Sequence, residues 1–112
     1  MSLGRSVAVG MLGAFLTMGV EIESIDMDNY VLTISVPKDS YEYHKETNKA
    51  YKDPESLAKR LKTIFIDMGI FPKECTVRYR VKDVIWTKEM GENNYNQHFH
   101  KISSLMNGGF NL

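Results

Sequence analysis

The sequence predicts an α+β fold: a three- to four-stranded antiparallel or mixed sheet with two or three helices packed on one face. Two observations carry this expectation. Apolar residues recur at helical spacing after Asp53 and again near the C-terminus, and they alternate with polar residues before and after the first of these stretches. At 112 residues, with 43% hydrophobic and 25% charged side chains, the chain fits one small domain spanning 1–112, with enough apolar material for a modest core.

The first segment is ambiguous. Val7 to Val20 carries no charge and follows Arg5. Val7, Met11, Ala14, Phe15 and Met18 share a helical face, yet Ala8, Leu12 and Leu16 make the other side apolar too. Gly10 and Gly13 each weaken a helix by about 1 kcal/mol relative to alanine, and Val7 and Val9 favour a strand. The balance falls to a helix over 6–18; the alternative is a central strand, apolar on both faces. The run is too short to span a bilayer. A signal peptide over residues 1–19, with Arg5 as its basic end and Thr17 and Gly19 near the cut, is the minor alternative.

A β-hairpin follows. Val20 and Ile22 alternate with Glu21 and Glu23, and the pattern slips at Ser24 before Ile25 and Met27, the signature of a bulge. Asp28-Asn29 suits the turn. Tyr30, Leu32, Ile34 and Val36 then alternate with Val31, Thr33 and Ser35 until Pro37.

Lys38 to Lys52 is polar and reads as a long loop, the kind that is often functional or mobile. The helix after it is the clearest element, from Asp53 to Met68. Asp53 suits the N-cap, Pro54 the first helical position and Glu55 the positive end of the dipole. Leu57, Leu61, Ile64, Phe65 and Met68 form one stripe, and Gly69 can end the helix in the left-handed conformation.

A third strand sets Val77, Tyr79 and Val81 inward and Arg78, Arg80 and Lys82 outward. Val84, Ile85 and Trp86 break the alternation and suggest a bulge or a more deeply buried end. The last element is a helix from about Asn94 to Asn107, capped by Asn93 or Asn94, with Tyr95, Phe99, Ile102, Leu105 and Met106 as its stripe and Gly108-Gly109 as its stop.

Composition limits function. Lysine plus arginine and aspartate plus glutamate balance at 14 each, so nothing pulls the whole molecule toward nucleic acid or an anionic membrane. The single cysteine, Cys75, forms no internal disulfide, which favours a reducing, cytoplasmic setting; it reads as a small buried thiol. On a helix the pair His98 and His100 points about 200° apart and does not chelate zinc; both read as surface residues flanking a core Phe99. Asp26 to Asn29 lacks the glycine and terminal glutamate of a calcium loop. Phosphate-loop and nucleophile-elbow patterns are missing. The expectation is therefore no catalytic residue, no metal and no cofactor.

Two candidate binding surfaces stand out. Tyr41, Tyr43, His44 and Tyr51 lie among lysines in the long loop, and tyrosine-rich loops offer large contact area at low entropic cost. Arg78, Arg80 and Lys82 would form a phosphate-binding patch if they adjoined Lys59, Arg60 and Lys62; the plainer reading pairs them with Glu21 and Glu23 on a neighbouring strand.

The leading expectation is a non-catalytic interaction module that self-associates, most simply as a dimer, through the apolar N-terminal segment 7–20. A separate protein partner is compatible with it. Motif-free chains of this size are frequent among phage and mobile-element accessory proteins. The alternatives are a nucleic-acid-binding protein using the basic strand face, and a small-ligand binder or small enzyme with a pocket under the tyrosine-rich loop and His44.

Overall fold

In the computed structural model, which describes residues 4–38 and 53–106, helix α1 (Arg5–Thr17) leads into strands β1 (Glu21–Asp26) and β2 (Val31–Pro37). Helix α2 (Pro54–Asp67), strand β3 (Thr76–Lys82) and helix α3 (Lys88–Ser103) follow. The strands form one mixed sheet of order β1-β2-β3. β1 runs antiparallel to β2, and β3 runs parallel to it. The parallel pair is joined through α2, as parallel strands require. The expected α+β layering is thus present, with the helices on one face of the sheet.

The ambiguous N-terminal run is helix. Ala8, Leu12, Phe15 and Leu16 turn into the core, and Met18 and Val20 continue it after the helix ends. What α1 leaves outside is mostly small: Gly10 and Ala14 are exposed, and Val7 is its one large exposed apolar side chain. Gly19 turns the chain at φ 104°, a conformation open to glycine.

The hairpin forms with its bulge. Ile22 pairs with Ile34 and Ser24 with Thr33, which leaves Glu23 as the extra residue. The turn is tied by Asp26, whose carboxylate accepts from the backbone N–H groups of Asp28 (3.0 Å) and Asn29 (3.1 Å) and from the Asn29 side chain (2.9 Å). Those three bonds hold the Asp26 carboxyl below its ordinary range, Asn29 contributing most.

α2 begins as its sequence requires. The Asp53 carboxylate accepts from the Ser56 N–H at 2.7 Å, and Pro54 opens the helix. Leu57, Leu61, Ile64 and Phe65 are sealed. At its far end the N–H groups of Ile70 and Phe71 both donate to the Phe65 carbonyl. Arg5 donates to the Met68 carbonyl at 3.1 Å, placing a cation at a helix C-terminus and tying α1 to α2.

α3 differs from its expected span of about Asn94 to Asn107. It starts at Lys88, where Thr87 accepts from the Met90 N–H at 3.2 Å, and it ends at Ser103. The early start was hidden because its first turns carry Gly91, Glu92, Asn93 and Asn94, with no apolar stripe. Val84 to Trp86 form neither a bulge nor a buried strand end: β3 stops at Lys82, and Ile85 is 80% exposed.

Candidate functional site

The open face of the sheet is a bed of ion pairs that span β2. Arg80 donates through Nε to Glu23 Oε2 at 2.6 Å, and Lys82 Nζ reaches Glu21 Oε2 at 3.2 Å. Both pairs join β3 to β1, and the residue between them, Ser35, is sealed by this cover. The Arg80 hydrogen bond holds the Glu23 carboxyl below its usual range, and Glu23 in turn raises the Arg80 guanidinium. Of the three basic residues singled out on β3, only Arg78 has no ion-pair partner among the described residues. Lys59, Arg60 and Lys62 lie on α2, on the opposite side of the sheet. The two basic groups therefore do not adjoin, and no single phosphate-facing patch forms.

β3 is an edge strand, and its helix-side face is only partly covered. Val77, Tyr79 and Val81 stand in register with Leu32, Ile34 and Val36. The three β2 residues are fully buried, whereas Tyr79 is 42% and Val81 46% exposed. Tyr79 was expected to point inward. It does lie on the core side of the sheet, but among the described residues no helix extends over that part of the edge. β3 pairs with β2 without a register shift along all its seven residues.

The second site lies at the other edge, where α3 crosses β1. Ile22, Ile25 and Met27 face His98, Ile102 and Leu105 across a groove of about 270 Å³, with Glu23, Ser24, Lys101 and Ser104 also in its walls. His98 is not the surface residue expected. It is 8% exposed, and its Nε2 is buried with no protein hydrogen-bond partner among the described residues. Burial pushes its pKa down, Glu21 pulls it up and Lys101 pushes it down. The inward side of α3 is built from Gly91, His98, Ile102 and Ser103, so its polar members escape a search for apolar stripes. Phe99, expected in the core, is only half-buried and stacks on Tyr95 at 4.8 Å. His100 is exposed, edge-on to Phe99.

Cys75 is buried with a raised thiol pKa, desolvation being the largest cause, so it is a weak nucleophile. Tyr41, Tyr43, His44 and Tyr51 lie outside the described residues. Among the described residues no cluster of three His, Cys, Asp or Glu side chains is placed to hold a metal, and no helix is long and apolar enough to cross a membrane. No protein-family model, curated protein or solved structure matches the chain.

Proposed function

We propose that the chain is a non-catalytic interaction module that receives an extended, acidic segment of a partner protein along the free edge of β3. One observation carries this reading: Tyr79 and Val81 stay exposed beside fully buried register partners, on a strand with no second neighbour among the described residues. An added strand would pair the open backbone groups and cover both side chains. Natural edges are usually blunted against such pairing, and β1 is, by its bulge at Glu23. β3 has no bulge.

Charge selects the partner. On the open face of β3, Arg78 has no ion-pair partner among the described residues, while Arg80 and Lys82 beside it are held by Glu23 and Glu21. A strand alternating acidic and apolar residues would set its acids beside that row and its apolar groups beside Tyr79 and Val81. A second copy paired through β3 would offer Arg78 no acid from its own strand, since Thr76–Lys82 contains none. The dimer expected through the N-terminal run has also lost its motive, since most of that surface is taken up inside the protomer. A cytoplasmic setting accords with the lone buried thiol.

The test is fluorescence anisotropy of a dye-labelled synthetic peptide alternating glutamate and valine. Binding should saturate, weaken as salt rises and fall at least tenfold with Val81→Glu. An affinity unchanged by both Val81→Glu and Arg78→Glu would refute the reading. Light scattering of the chain alone separates the other occupant: a concentration-dependent dimer dissolved by Val81→Glu would assign the edge to a second copy.

A further inference from the structure

We infer that the groove between β1 and α3 is a binding site for a small amphipathic carboxylate, its tail between Ile25 and Leu105 and its head at His98 and Lys101. The inference does not depend on the β3 edge, which lies on the other side of the sheet.

The groove has the two parts such a ligand requires. Its wall is apolar from both elements: Ile22 and Ile25 from β1, Ile102 and Leu105 from α3 and the residues after it. At about 30 Å³ per water-sized group, a volume of about 270 Å³ suits a short-chain ligand. The polar part comes from one turn of α3. His98 and Lys101 are three residues apart on this helix and so share a face. The His98 Nε2 has no protein partner among the described residues, and buried polar atoms in native proteins are hydrogen-bonded almost without exception. A neutral imidazole carrying its proton on Nε2 donates one hydrogen bond.

The sign of the head group follows from the neighbouring charges. Lys101 is exposed and has no ion-pair partner among the described residues. Glu23, the acid in the wall, is already held by Arg80. Glu21, which acts on His98 more strongly than Lys101 does, lies outside the wall and is paired with Lys82, so among the described residues the unpaired charge in the wall is the Lys101 ammonium. A carboxylate accepts from an ammonium and an imidazole N–H together in charge-assisted bonds. An alkylammonium of the same length meets repulsion at Lys101.

Isothermal titration calorimetry with sodium octanoate, 1-octanol and octylammonium chloride tests the assignment. Octanoate should bind saturably, and octylammonium at least tenfold more weakly. Lys101→Glu, an exposed substitution that leaves the core alone, should weaken octanoate at least fivefold and narrow or reverse the preference over octylammonium. In NMR titrations octanoate should shift the ring signals of His98 and raise its pKa; His98→Phe, if folded by circular dichroism, should weaken octanoate as well. Octanoate failing to bind, binding no better than octylammonium, keeping its affinity in Lys101→Glu, or leaving the His98 ring signals in place would each overturn the inference.

Discussion

Gly91 of α3 rests directly on the backbone of α1: a Cβ built on it would fall 2.0 Å from the Thr17 carbonyl oxygen. This approach brings the rest of α3 into reach of α1. Asn94, one turn on, donates through Nδ2 to the Leu16 carbonyl at 3.3 Å and also to the Val20 carbonyl. Farther along, Tyr95 and Phe99 lie over Gly13, where an added Cβ would stand 3.0 Å from Tyr95 Cε2. Two glycines and an asparagine thus set the helix pair that positions the groove wall.

Gly91→Ala should therefore be severe. The obstacle is main chain, which yields less readily than a side chain, so the cost should reach about 3 kcal/mol, the upper part of the overpacking range. Gly10→Ala is the control, because Gly10 is exposed in α1 with nothing near its missing Cβ. That change should stabilise by up to about 1 kcal/mol through helix propensity alone. Urea unfolding of both variants checks the contrast.

Asn94→Leu should lower stability by about 1–3 kcal/mol, because it removes the donor from two partly buried carbonyls, Leu16 at the end of α1 and Val20 just before β1. A loss no larger than that of Asn96→Leu, at an exposed position of the same helix, would show that the bonds contribute nothing. Thermal melts followed by circular dichroism give the comparison.

Stability should fall with pH through His98. Its folded pKa lies below the ordinary 6.5, burial being the largest cause, with Lys101 acting in the same direction and Glu21 against it. The unfolded chain then binds the proton more readily than the folded one. The stabilisation is complete above the unfolded pKa and is lost as pH falls through the folded value. Urea midpoints measured from pH 7.5 down to pH 5 should show this slope, and His98→Phe should flatten it.

Removing Arg80 should release Glu23. With the guanidinium gone, the Glu23 carboxyl should titrate nearer its ordinary value, because the Arg80 hydrogen bond is the largest cause of its depression. Carboxyl NMR of Arg80→Ala reads this directly. The effect on stability should be slight, since the pair is exposed and solvent screens it.

Much of the fold was legible in order along the chain. The Asp53 cap, Pro54 and the Leu57–Phe65 spacing defined α2, and the slip after Glu23 marked the bulge, because these signals are local: caps, turns and backbone pairing are chosen within a few residues. Glu21 and Glu23 were also legible as balancing charges for the basic face of β3, but they were expected on a neighbouring strand, and the structure sets β2 between the two. The start of α3 was not legible, because its inward face is made of glycine, asparagine and histidine, where hydrophobic periodicity has nothing to register.

By itself the sequence determined which residues share a face. Tyr79 and Val81 belong with the core side of the sheet, and α1 is apolar around most of its girth. Only the tertiary structure decided which of those faces a neighbour covers. The larger side chains of α1 are mostly enclosed by α2, α3 and the sheet, the end of β3 is left open among the described residues, and His98 is drawn beneath the surface beside β1. The physical reason is that periodicity follows from the geometry of one element, whereas burial depends on how far the next element extends and how closely it approaches, here set by contacts such as Gly91 on Thr17 between residues distant in the chain.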